Sequence, residues 1–137
     1  MKLMSALLAL ALTAALAGCG SSSNTTSSKP AYCTNVENLK TSVKALPTTD
    51  VVQNGVSALK SAVAKVQTNA QAVVDSAKSE FSGETTALKN SIQTLSTTVK
   101  QAASSPSVST LSQIPGQVSA VATAAKNLES ATSSKCG

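Results

Sequence analysis

The chain of 137 residues contains no histidine, no arginine and no tryptophan, and it has a single tyrosine, Tyr32, and a single phenylalanine, Phe81. Without histidine there is no imidazole to act as a general base near neutral pH, and the remaining candidates are a few dispersed lysines and carboxylates at no useful spacing. Asp75 with Glu80, and Glu80 with Glu84, read as charges on a helix surface. No glycine-rich phosphate loop and no nucleotide fingerprint occurs. The net charge of +5 comes from eleven lysines against six carboxylates. With no arginine to grip phosphate and hardly a ring to stack on bases, that surplus reads as a solvated face, not a nucleic-acid site. These absences predict a protein that is not an enzyme and uses no cofactor or metal.

Long apolar runs are also scarce, and the longest stands at the start. Lys2 forms a short charged segment, Leu3 to Leu16 is continuously apolar or small, and small residues follow. This is the three-part form of an export signal, and it is too short for a bilayer span, which takes about 20 apolar residues. Its last residues, Leu16-Ala17-Gly18-Cys19, resemble the lipobox of bacterial lipoproteins. The resemblance implies that the Cys19 thiol receives a diacylglycerol, that cleavage precedes it, and that Cys19 leads the mature chain. Two acyl chains hold a soluble domain stably at a membrane where one binds only marginally. The expected location is the extracytoplasmic face of the cell membrane, with the membrane itself as a partner through Cys19.

If Cys19 is acylated, Cys33 and Cys136 remain as the one pair able to form a disulfide. A metal site is the competing use of two cysteines, and with no histidine it is a poor one. Between the anchor and the rest lies Gly20 to Ala31, "GSSSNTTSSKPA", without apolar periodicity, which reads as a solvated tether. As a random coil its ends average about 20 Å apart. The expected organisation is a signal peptide over 1–18, a lipidated cysteine with its tether over 19–32, and a helical domain over 33–137.

From Thr34 onward apolar residues recur in steps of three and four. Val36, Leu39, Val43 and Leu46 line one helix face, with Thr34 and Glu37 spaced as a capping box and Pro47 beyond the end. A second seam runs Val52, Val56, Leu59, Val63, Val66, Ala70, Val73 and Ala77 after Asp50, a good N-cap residue. Gly55 weakens its first turns, and the pattern predicts a stop near Gly83. Leu88, Ile92, Leu95, Val99 and Ala102 make a third seam, and Leu111, Ile114, Val118, Val121, Ala125 and Leu128 a fourth. Pro115 places the start of that last helix at about Ile114. The stretch "LKTSVK" at 39–44 echoes "LSTTVK" at 95–100, a pattern that either duplication or low-complexity composition can produce.

The two cysteines choose between topologies. Helices alternating up and down bring Cys33 and Cys136 to the same end, whereas fusing the middle two into one rod leaves them roughly 30 Å apart by the helical rise, beyond disulfide reach. The expected fold is therefore all-α: an antiparallel four-helix bundle with a short first helix, closed by a terminal disulfide. The chain as a whole resembles small Ala/Ser/Thr-rich actinobacterial lipoproteins with a cysteine near each end of a helical domain. It also resembles the murein-type lipoprotein in its signal, lipobox and heptads, but Pro47, Pro106 and Pro115 break the rod. Three function classes follow. The first is a membrane-tethered structural or protein-interaction module of the cell envelope, whose protein partner is unknown. The second is a carrier of a lipid or other apolar ligand, which requires a pocket lined by the Val/Ala seams. The third is a prophage-type exclusion or inhibitor lipoprotein.

Overall fold

The computed structural model describes residues 29–47 and 51–137. The signal segment, Cys19 and Asp50 lie outside them. Four helices follow one another, α1 over Ala31–Lys44, α2 over Val51–Ala77, α3 over Ser82–Ser104 and α4 over Val108–Cys136. Each packs against its neighbours in sequence, and α1 packs against α4 to close the ring. Side-chain pairs give the directions. Asn35 Nδ2 donates to Ser76 Oγ at 3.0 Å, and Asn69 Nδ2 donates to the Asn38 carbonyl at 3.3 Å, so α1 and α2 run antiparallel. The Cys33–Cys136 and Lys40–Glu129 pairs do the same for α1 and α4: seven residues up one helix match seven residues down the other. The result is the antiparallel four-helix bundle, with α1 about 21 Å long beside an α4 of about 44 Å.

The apolar seams form the core. Leu39, Leu59, Val66, Val73, Leu88, Leu95, Val99, Ile114, Val121 and Leu128 are all essentially inaccessible, and Val43, Val56 and Leu111 pack partly buried at its edges. The 3.6-residue repeat places these positions on one face of each helix, and burying those faces together supplies the main driving force. The lysines at 44, 60, 65, 78, 89, 100 and 126 are exposed and Lys40 is half-buried, as their places outside the seams require.

The helix ends differ from the expected ones. α1 begins at Ala31 instead of Thr34, with Pro30 at the N-cap, the Cys33 N–H donating to the Pro30 carbonyl at 2.9 Å, and no side-chain cap. Burial of Tyr32 and Cys33 draws this first turn into the bundle, so Thr34 stands exposed inside the helix and does not cap it. α2 stops at Ala77, short of Gly83, because the Phe81 N–H turns back to the Ala77 carbonyl at 2.9 Å and the Phe81 ring packs inward. Gly83 falls in the first turn of α3.

α4 begins at Val108, well before Ile114. The Ser107 side chain caps it by accepting from the Thr110 N–H at 3.1 Å, and exposed Pro115 lies within the helix. Proline removes one backbone hydrogen bond and costs about 3 kcal/mol in a helix interior. Burial of Ile114 and Val118, which flank it along the helix, offsets that cost.

Gly55 interrupts α2 at φ 77°, ψ 156°, so that the long regular stretch of α2 starts after it. No atom stands within 4 Å of where a Cβ would sit, so the demand there is purely conformational. Gly55→Ala is expected to destabilise the bundle by about 1 kcal/mol, because an L side chain disfavours positive φ. Urea unfolding followed by circular dichroism measures this, and an unchanged midpoint would show that the kink relaxes at no cost.

Candidate functional site

The chain enters the bundle at the end closed by the disulfide. Cys33 and Cys136 Sγ atoms are bonded at 2.07 Å with their Cα atoms 5.5 Å apart, as expected from the cysteine count. The two aromatic rings of the chain meet beside them. Tyr32 and Phe81 pack edge to face, with ring centroids 5.5 Å apart and planes at 78°, and Tyr32 is buried. The Tyr32 hydroxyl donates to Glu80 Oε2 at 3.4 Å, and Lys135 Nζ lies 3.5 Å from the same oxygen.

Burial raises the Tyr32 phenol above its ordinary range. The Glu80 charge and hydrogen bond push the same way, while the Lys135 charge opposes them. This cluster ties together the start of α1, the α2–α3 turn and the end of α4. It was not foreseen from the sequence, although the chain's only tyrosine beside Cys33 and its only phenylalanine in a turn were the available signal. Chemically it is a clasp: a neutral phenol, one carboxylate and one ammonium, with no nucleophile beside a base.

The carboxylates weighed as acid/base pairs are placed apart in role. Asp75 accepts from Gln71 Nε2 at 2.9 Å on the exposed side of α2, Glu80 belongs to the clasp, and Glu84 sits in the first turn of α3, where the helix N-terminus favours negative charge. Among the described residues, no three metal-ligating side chains come together, and no helix is long and apolar enough to cross a membrane.

Clefts run between each pair of neighbouring helices, and on the α2–α3 side there are two small ones, about 140 Å³ over Ala70, Val74 and Ile92 and about 190 Å³ beside Lys78, Thr85 and Thr86. The α1–α2 cleft, about 670 Å³, has Asn38, Thr41, Ser42, Thr68 and Asn69 on its walls together with Ala45, Ala64 and Lys65. The α3–α4 cleft, about 380 Å³, is lined by uncharged amides and hydroxyls, and the Oε1 of Gln117 beside it is buried without a hydrogen-bond partner. The α1–α4 cleft is smaller, about 250 Å³, and has an apolar floor of Val43, Ala122 and Ala125. Lys40, Lys44, Lys126 and Glu129 rim it, and Lys40 is ion-paired with Glu129. That hydrogen bond and the Glu129 charge raise the Lys40 pKa, with burial of the ammonium acting against them.

No known protein family, no curated protein and no solved structure matches the chain.

Proposed function

We propose that this protein is a lipid-anchored module of the bacterial cell envelope that acts through position and contact, without catalysis. The observation that carries the reading is Leu16-Ala17-Gly18-Cys19 at the end of a short apolar segment, which makes Cys19 the acylated residue. The Cys33–Cys136 bond supports an extracytoplasmic location, because disulfides form and persist in oxidising compartments and are rare in the cytoplasm. The Ser/Thr-rich tether ends at the disulfide end of the bundle, where α1 begins at Ala31. Anchored through Cys19, that end faces the bilayer, and the far ends of α2, α3 and α4 point outward toward an envelope partner. Carboxylates and lysines spread over the helix surfaces suit a contact surface better than a reaction centre.

The test is mass spectrometry of the N-terminal peptide together with fractionation of the envelope. The expected result is a diacylglyceryl-modified Cys19 at the mature N-terminus and recovery of the protein with membranes. Cys19→Ser abolishes the modification and, in complementation of a deletion strain, the phenotype, whereas Asp75→Asn or Glu84→Gln complements fully. An unmodified N-terminus at another residue, or full activity of the Cys19→Ser form, would overturn the reading.

A further inference from the structure

We infer that the α1–α4 cleft is a binding site for a single-chain anionic amphiphile, a medium-chain fatty acid. The shape of the cleft follows from the register of the two helices. Starting at Cys33–Cys136 and rising through Lys40–Glu129, the same alignment sets Val43 level with Lys126. α4 presents alanines at 122 and 125 where larger side chains would fill the gap, and α1 ends at Lys44. The space left is a slot of about 250 Å³ with an apolar floor. At roughly 30 Å³ per methylene-sized group, it takes a chain of about eight methylenes.

Charge then selects the head group. The Lys40–Glu129 pair closes the slot on the disulfide side, and Glu129 is neutralised by it. Lys44 and Lys126 stand at the slot without an ion-pair partner among the described residues. Two ammonium groups beside an apolar floor match a carboxylate on an alkyl chain, since the lysine stems extend the apolar wall while their heads stay in water. A diacyl phospholipid does not fit a slot for one short chain. The α3–α4 cleft has polar walls, the wider α1–α2 cleft sets Asn38, Thr68 and Asn69 among its lining, and the α2–α3 cleft over Ala70, Val74 and Ile92, about 140 Å³, is too small for such a chain. The site lies part-way up the bundle from the entry of the tether, and its occupancy does not depend on acylation of Cys19.

The test uses the full chain in phosphatidylcholine vesicles with a diazirine-bearing decanoate as probe. After illumination, adducts are mapped by peptide mass spectrometry, with decanoate, hexanoate, decanol and added phosphatidylglycerol as competitors. Adducts are expected at Val43 and within Ala122–Lys126. Decanoate should compete about tenfold better than decanol, because two surface ion pairs separate them, and better than hexanoate by at least about twofold per methylene. Lys44→Gln with Lys126→Gln should lower labelling about tenfold at unchanged helix content. Ala122→Leu, which fills the floor, should abolish labelling and leave the melting temperature the same or higher. Adducts confined elsewhere, equal competition by decanol, competition by phosphatidylglycerol as strong as by decanoate, or labelling indifferent to the paired lysine substitutions would each overturn the assignment.

Discussion

Reducing the Cys33–Cys136 disulfide is expected to lower the stability of the bundle by about 4 to 5 kcal/mol and its melting temperature by roughly 20 °C. The bond spans a sequence separation of 103, nearly the whole described domain, so it removes a large share of the freedom of the unfolded chain. Locally it does more than close a loop. α1 is a 14-residue helix, a length that is marginal in water by itself, and the bridge holds its first turn against the last turn of α4. Without it, that end is held by burial of Tyr32 against Phe81, its hydrogen bond to Glu80 and the Lys135–Glu80 ion pair. Intact mass before and after reduction checks the bond itself, and thermal unfolding by far-ultraviolet circular dichroism with and without reductant gives the loss. An unchanged melting temperature would mean that the four seams alone hold the bundle and that the bridge is dispensable.

Truncating one large side chain at the centre of the bundle should cost nearly as much. Leu128→Ala is expected to destabilise by about 3 kcal/mol, a fall of roughly 15 °C, through lost burial and the cavity left behind. Leu128 is completely inaccessible, and more than half of the core residues are valine or alanine. Small side chains bury little area each, so the few leucines and isoleucines carry a disproportionate share of the stabilisation. Val108→Ala is the control: that residue is 85% exposed in the first turn of α4, and its truncation should shift stability by no more than about 0.5 kcal/mol. Urea unfolding of both variants measures the difference. Equal midpoints would show that the core repacks around alanine.

The Gly55→Ala prediction separates backbone from packing in the same measurement, since the added methyl meets nothing and only φ resists it. A large loss at Leu128 with a small one at Gly55 is the pattern of a bundle held by side-chain burial. The reverse order would mean that the entry into the long part of α2 is what limits stability.

The burial pattern was legible in the sequence because helical periodicity is local: residues three and four apart share a face whatever that face meets, and the four seams, apart from Val52, whose side chain lies outside the described ones, became the core and its edges. The pairing of Cys33 with Cys136, and with it the up-and-down order, followed from cysteine count and helix lengths. The Leu16-Ala17-Gly18-Cys19 motif is likewise a local signal, carrying the proposal of lipidation without any help from the fold. Helix ends were harder to read, because contacts made across the bundle set most of them, the Ser107 cap at the start of α4 being the local exception. Burial of Tyr32 and Cys33 moved the start of α1 back to Ala31, the inward turn of Phe81 stopped α2 at Ala77, and burial of Ile114 and Val118 carried α4 through Pro115. The disulfide and the antiparallel order align α1 with α4, but only the tertiary structure decided which of their faces meet. That meeting of faces sets Lys40 on Glu129 and leaves Lys44 and Lys126 beside a slot floored by Val43 and two alanines, an arrangement that no spacing within either helix encodes.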